Sequence, residues 1–357
     1  VLGLVEKAIK QERKMKYLRM FWCWLRSLFR SKDSADRTLY IIGNGFDIHH
    51  GLDTWYSSFG LFLKNKSSQI YQYITDYLCL PELYEDKPES LYDTLWSNFE
   101  EGFARMEIDQ VLDDHSDYAM DLTAEKNMAR EYHQMQQMVD LVKEGLTIEL
   151  RDEFRAFISN VSYPEEPRNG KLCINSKARF FSFNYTDTLE KYYQVSTDKI
   201  LHIHGKASNG DNLKLGHGFD PQDFQPEEPQ PPVDASDEEL SDWHDQMAAQ
   251  SDYSYDSAKA SLSKYFEDSL KSTEQMISDN EDYFNSIGNI NRVVVLGHSL
   301  AKVDEPYLVR IKDSIDPCAN WVVSYYLDKE KQEHRDKLMK LGISEERISV
   351  CKMNMIT

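Results

Sequence analysis

Short runs of β-forming residues recur along the chain, and most of them stop at a glycine, asparagine or histidine motif. Arg37-Thr38-Leu39-Tyr40-Ile41-Ile42 comes first and ends at Gly43-Asn44-Gly45. Ala178–Phe183 ends at Asn184, Ile200–His204 at Gly205, and Arg292–Leu296 at Gly297-His298-Ser299. Trp321–Tyr326 and Ile348–Cys351 complete the series, with Leu213–Gly216 as a further short candidate. Helical spacing separates them, as at Trp55, Phe59 and Leu63, over Glu305–Asp313, and over Lys329–Leu341. Strands alternating with helices predict an α/β fold built on a Rossmann-type, mostly parallel sheet.

The expected organisation follows from where that alternation pauses. Residues 52–177 read as a large helical insertion after the first strand, so the core comprises 37–51 and 178–357. Within the insertion, Met128, Tyr132, Met135, Val139, Val142 and Leu146 mark one apolar stripe of a helix from about Thr123 to Ile158. Such a stripe reads as core. Gly218–Asp256 holds five of the eleven prolines and twelve acidic residues, with no Lys or Arg, and reads as a solvated loop.

Charge excludes some functions. The formal net charge is −20, which argues against a nucleic-acid coat over the body. Residues 1–36 are the exception, because nine basic residues face only Glu6 and Glu12 over the first 32. With Trp22, Trp24, Leu25 and Leu28, this segment reads as a basic amphipathic arm. It would suit an anionic membrane surface, a defence-system partner or a second subunit. The plainer reading packs Trp22, Trp24 and Leu28 on the chain's own acidic body or a second copy. The arm lacks the apolar run and small-residue cleavage site of a secretory signal, and no run of eighteen apolar residues occurs. Five scattered cysteines without a C-x-x-C pair point to the cytoplasm and away from a four-cysteine zinc site. No metal is expected.

Open α/β sheets bind ligands at the carboxyl ends of their strands, where the polar motifs fall. Gly43, Asn44, Gly45, Phe46 and Asp47 follow the first strand, and the glycines would let a phosphate approach the amides. No G-K-[ST] follows, so this is not a Walker loop. Asn184 to Glu190 follows the second strand; Thr186 or Asp187 would open a helix there, with Glu190 completing a capping box. On a strand, His202 and His204 would share one face, with Gly205 beyond. Gly297 and Ser299 follow the Arg292–Leu296 strand, with Asp304 and Pro306 further on.

The order of these motifs resembles that of the AbiH family of bacterial abortive-infection proteins. Leu39–Phe59 (LYIIGNGFDIHHGLDTWYSSF) is similar to its opening signature. Trp96-Ser-Asn-Phe-Glu, the F-N-Y-T segment, His202–Gly205 and Gly297–Tyr307 are similar to its later motifs. AbiH-like proteins in turn resemble sirtuins. Gly43-Asn-Gly followed by Gly51-Leu-Asp is similar to the sirtuin glycine loop, although Thr54 and Trp55 depart from its continuation. Asn184 to Glu190 resembles T-Q-N-I-D-x-L-E with one extra residue, His204-Gly205 matches the catalytic H-G, and Gly297–Leu300 resembles G-T-S-L. The sirtuin zinc module is absent, which argues against a protein deacylase and leaves an NAD-cleaving core.

The resemblance implies an antiphage effector that hydrolyses NAD at the nicotinamide–ribose bond. His204, Asn184 and Asp187 would be catalytic. Gly43, Asn44, Gly45, Phe46, Asp47, Gly205, Gly297 and Ser299 would hold the nucleotide, which is a substrate. Two other readings stay open: a nucleotide-binding sensor without turnover, and an interaction subunit of a defence complex.

Overall fold

In the computed structural model, which describes residues 37–86, 94–119, 133–225, 229–250 and 252–356, six of the seven expected strands meet in one sheet. They are β1 (Thr38–Ile42), β2 (Arg179–Ser182), β3 (Ile200–His202), β4 (Arg292–Leu296), β5 (Asn320–Tyr325) and β6 (Ile348–Lys352). Their order is β3-β2-β1-β4-β5-β6, and every neighbouring pair is parallel. This is the doubly wound order of a Rossmann-type sheet. The register aligns Ile42 with Ser182 on one side and Leu296 on the other. The first turns after β1, β2 and β4 therefore start level with one another.

Both sheet faces are buried, as an all-parallel sheet requires. Leu39, Ile41, Phe181, Val293, Val295 and Trp321 point to one face and pack with Leu308, Ile311 and Leu338 from helices Glu305–Ser314 and Glu330–Lys340. Tyr40, Ile42, Phe180, Val294 and Leu296 point to the other and meet Phe46 and Leu189 from helices Asn44–His50 and Thr188–Tyr193. The alternation within each strand is the period-2 pattern of a pleated backbone.

The chain divides into two compact units. Of the described residues, one takes those from 37 to 53, Val161–Asn212 and those from Thr273 onward; the other takes those within Thr54–Asn160 and Leu213–Ser272. The first contains the sheet. Residues 213–272, read from sequence as part of the α/β core, cluster with 54–160.

The second unit is helical. The apolar stripe is realised as helix Gln134–Glu144, a π-turn at Gly145–Glu149 and helix Leu150–Asn160. Met135, Val139, Val142 and Leu146 are fully buried, whereas Met128 and Tyr132 lie outside the described residues. Phe59, Phe99 and Phe154 pack edge to face at 5.1–5.9 Å, a favoured aromatic geometry.

Two expectations are corrected here. The acidic segment is not all loop: Asp237–Gln250 is a helix. The Ser236 amide donates to Glu239 Oε2 at 2.9 Å, and the Glu239 amide donates back to Ser236 Oγ at 3.3 Å. That reciprocal pair is a capping box, and the acidic first turn complements the helix dipole. Leu213–Gly216 is not a strand; among the described residues, a single bridge between His217 and Leu270 pairs the chain there. Leu213 and Leu215 are buried as irregular chain, and the His217 and Lys271 backbones close the contact. The basic arm, 1–36, lies outside the described residues. Among the described residues, no helix is long and apolar enough to cross a membrane.

Candidate functional site

Strand order reverses at β1, because the chain leaves β1 toward β2 on one side and β4 lies on the other. The carboxyl ends of these two strands form the crevice that α/β sheets use for ligands. Two loops meet there, Gly43–Phe46 after β1 and Gly297–Leu300 after β4. The Gly43 amide donates to Leu296 O at 3.0 Å, and the Gly45 amide to Gly297 O at 2.8 Å. The Gly297 amide donates to Ser324 Oγ at 2.8 Å, and Phe46 N bonds back to Gly43 O at 2.9 Å.

These four amides are thus bonded inside the chain. The expectation that the glycines leave them open to a phosphate is not met at Gly43, Gly45 or Gly297. What the glycines provide is close packing of two backbones. A Cβ on Gly43 would lie 2.6 Å from His298 Cα, and one on Gly45 would lie 2.9 Å from Gly297 Cα. Gly297 also takes φ +65°, which glycine adopts without strain.

Asn184, after β2, donates from Nδ2 to Gly43 O at 3.1 Å, and its own carbonyl accepts from His202 Nδ1 at 3.0 Å. It therefore ties the segment after β2 to the loop after β1. Asp47 is buried beneath the same loops, and its Oδ2 accepts from Thr186 Oγ1 at 2.7 Å. Asp47 Oδ1 is buried and makes no hydrogen bond. Burial pushes the Asp47 carboxyl up to about 6, against the opposing pull of Thr186, Thr188 and Asn184.

That pKa carries a stability consequence. A carboxyl raised above its unfolded value holds its proton longer in the folded chain, so Asp47 makes folding less favourable as pH rises from about 4 to about 6. His50 works in the opposite sense. Its Nδ1–H donates to Phe46 O, and Tyr193 hydroxyl donates to its Nε2. Burial lowers its pKa to about 4, so its contribution is lost as pH falls from 6.5 toward 4. The two trends offset each other. Asp47→Asn should therefore be more stable than wild type at pH 7, by roughly 3 kcal/mol for a shift of about two units. It should also lose stability on acidification more steeply. Urea unfolding at pH 4.5 and 7 checks both signs.

Asp187 does not open its helix as a cap. It occupies the N-cap position of Thr188–Tyr193, but its side chain makes no capping bond. Its carboxylate instead binds Lys206 Nζ at 2.8 Å and Ser208 Oγ at 2.8 Å. Glu190 Oε1 accepts from the same Lys206 Nζ at 2.9 Å and lies 3.4 Å from His202 Nε2. Burial would raise the Glu190 carboxyl, but His202 and Lys206 bring it down to about 2. Burial alone would lower Lys206; its two carboxylate partners reverse that and raise it. Lys206, buried and absent from the sequence-derived set, is thus the centre around which Asp187 and Glu190 are organised.

The β3 strand stops at His202, so His204 lies in the following turn and does not share a strand face with it. Gly205 completes that turn with φ +84°. The His204 ring is buried against Phe183, Tyr185 and Tyr307, with centroids at 5.3–6.1 Å. Its Nε2 stands 3.9 Å from Asp304 Oδ1. Asp304 Oδ2 lies 3.1 Å from His298 Nε2. All three side chains are buried. Ser299 is exposed, and its carbonyl accepts from Lys337 Nζ at 2.8 Å.

The structure thus brings His204 together with His298 and Asp304, which sequence reasoning left out of the site. It brings Asn184 and Asp47 to the glycine loops, and it commits Asp187 to Lys206. The signal for Asp304 was its place seven residues after Gly297 in a motif already noticed.

The family description "Bacteriophage abortive infection AbiH" matches residues 39–325, a span that runs from the second residue of β1 to the end of β5 and contains every residue of this constellation. No curated protein and no solved structure matches the chain. The family match covers well over half of the sequence, and the chain belongs to the AbiH family of bacteriophage abortive-infection proteins.

Proposed function

We propose that this abortive-infection protein acts by hydrolysing NAD at the nicotinamide–ribose bond, depleting the infected cell of the cofactor. The observation that supports this most is the site's position. A buried histidine, His204, stands past the carboxyl end of β3, in the same sheet whose order reverses at the glycine loops after β1 and β4. Rossmann-type sheets hold nucleotides at that reversal. The resemblance of the motif order to that of sirtuins favours NAD among nucleotides.

The chemistry asks little of the protein beyond placement. Nicotinamide departs neutral, so no acid is needed on the leaving group, and the ribose develops oxocarbenium character. His204 takes a proton from water or a ribose hydroxyl. Asn184 acts through the Gly43 loop it holds. The Lys206 cluster, with Asp187 and Glu190, fixes the turn that carries His204. Purified full-length chain incubated separately with NAD, NADP and ATP should release nicotinamide from NAD. His204→Ala should lower the rate at least 100-fold, the ordinary scale of a lost general base. Absence of nicotinamide release, together with unchanged cellular NAD on phage challenge, would sink the reading.

A second reading has its own support. The amides of Gly43, Gly45 and Gly297 and the side chain of Asn184 are already bonded within the chain. That suits a nucleotide sensor, or an interaction subunit, in which the loops transmit occupancy without turnover. Saturable nucleotide binding with no product would favour it.

A further inference from the structure

We propose that Asp47 binds the sugar that carries nicotinamide, its Oδ1 accepting a hydrogen bond from one of that ribose's hydroxyls. The proposal rests on the nucleotide reading above and names the group that grips the ligand's second sugar; its test does not depend on turnover.

The first ground is an imbalance within one carboxyl. Asp47 is 1% exposed. Its Oδ2 accepts from Thr186 Oγ1 at 2.7 Å, whereas Oδ1 is buried and has no hydrogen-bond partner. Thr188 and Asn184 stand close enough to pull the carboxyl's pKa down, yet neither closes a hydrogen bond to Oδ1. The Thr188 hydroxyl lies 3.1 Å from Thr186 Oγ1 and so backs the Oδ2 side. A buried carboxylate oxygen that lacks a donor is costly, and most such atoms in folded proteins have one. One O–H donor from a ligand would balance this carboxyl.

The second ground is position. Asp47 lies four residues past Gly43, on helix Asn44–His50. Thr186, which holds it, ends the tripeptide Asn184-Tyr185-Thr186. Asn184 Nδ2 donates to Gly43 O at 3.1 Å, and the Tyr185 ring packs on His204 at 6.1 Å between centroids. One short segment therefore links the carboxyl, the glycine loop and the proposed base. The sugar that reacts at His204 is the part of the ligand nearest to it. Oδ1 is covered, so the contact forms as this segment gives way to the sugar.

The third ground is charge. An ionised carboxylate only accepts hydrogen bonds, and it repels phosphate. Its partner in a nucleotide is thus a neutral donor, and acidic residues take ribose hydroxyls in Rossmann-type sites generally.

The contact ties binding to a proton. Burial pushes the Asp47 carboxyl up to about 6, and a hydroxyl donated to Oδ1 favours the charged form. Ligand affinity should therefore rise with pH through that value and level off above it. The His202 ring also acts on the carboxyl, and its own helix carries His49 and His50. Tyr163 and Tyr192, which burial and then the Asp47 charge hold above the usual phenol range, stay neutral throughout. The comparison with Asp47→Asn removes the share of the other groups.

Isothermal titration calorimetry of the full chain with ADP-ribose, and with ADP, which lacks the second ribose, tests this. At pH 7, Asp47→Asn should bind ADP-ribose at least tenfold more weakly than wild type, the scale of a hydrogen bond to a charged group. It should bind ADP as wild type does. Wild-type affinity for ADP-ribose should rise about tenfold from pH 5 to pH 7, since about one tenth of such carboxyls are ionised at pH 5; the variant should show no such rise. Equal ADP-ribose affinities in wild type and a folded Asp47→Asn overturn the proposal. So does an equal loss for ADP, or a wild type that does not bind ADP-ribose. NAD incubation run beside it separates the two claims. No nicotinamide release removes the hydrolase reading and leaves Asp47-dependent binding of ADP-ribose standing. Release with a KM unchanged by Asp47→Asn removes this one.

Discussion

Gly297→Ala is expected to abolish the crevice between the β1 and β4 loops and to unfold much of the sheet unit. A Cβ at Gly297 would fall within the van der Waals envelope of the Phe46 amide nitrogen and the Gly45 carbonyl carbon, and it would lie 2.8 Å from Gly45 Cα. These are backbone atoms, so no side chain can rotate away. The φ of +65° adds the left-handed penalty, about 1 kcal/mol for an L side chain. Overpacking in a tight core contributes another 1–3 kcal/mol or more. To relieve the contact, the loops must separate and break the Gly45 amide bond to Gly297 O at 2.8 Å. The combined loss should be on the order of 4 kcal/mol, a large share of a domain's net stability. Gly288→Ala is the control: Gly288 is exposed, and its Cβ would meet only Ser314 O at 3.7 Å. Urea unfolding of the pair should show a midpoint near wild type for Gly288→Ala and far below it for Gly297→Ala. Equal midpoints would mean that the loops are not packed as described.

The same pair of loops shows how far sequence could go. The β1 and β4 strands were legible because Leu-Tyr-Ile-Ile and Val-Val-Val-Leu are β-rich runs that end at a glycine. Their place at carboxyl ends followed from the alternation of strand and helix. What the glycines do was not legible, since a glycine that admits a phosphate and one that admits another backbone look alike in one sequence. Asp187 and Glu190 misled for a similar reason. A three-residue separation is the spacing of a capping box, and it is equally the spacing that lets both reach Lys206 Nζ. The partner, sixteen residues beyond Glu190 and past β3, is brought there only by the fold. Acidic Asp237–Gln250 read as loop because charge density was weighed above Ser236 and Glu239, whose spacing did announce a cap. Asp304 was visible as a motif residue, but its meeting with His298 comes from the fold.

Glu100→Gln should cost the helical unit about 3–5 kcal/mol, and the reason lies in the Trp96-Ser-Asn-Phe-Glu segment. Trp96 and Phe99 of that segment are fully buried, and Trp96 Nε1 donates to Pro81 O at 2.8 Å. Glu100 alone in it carries charge, and both its oxygens accept from Lys271 Nζ, at 2.8 and 3.0 Å. The Lys271 side chain has no exposed surface, so its ammonium has left water completely. Replacing one partner of such a pair strands the other charge, which is the source of the 3–5 kcal/mol. In the variant, Lys271 Nζ loses the carboxylate that meets it at a position with no exposed side-chain surface, which destabilises the folded state. The double variant Glu100→Gln with Lys271→Met removes the stranded charge and should recover most of the loss. That non-additivity separates an ion-pair effect from simple damage to packing. Because the chain has two compact units, unfolding should be followed by more than one probe, and the change should appear in the transition that tracks the helical unit. A Glu100→Gln loss under 1 kcal/mol, or a double variant no better than the single one, would show that the pair carries none of this stability.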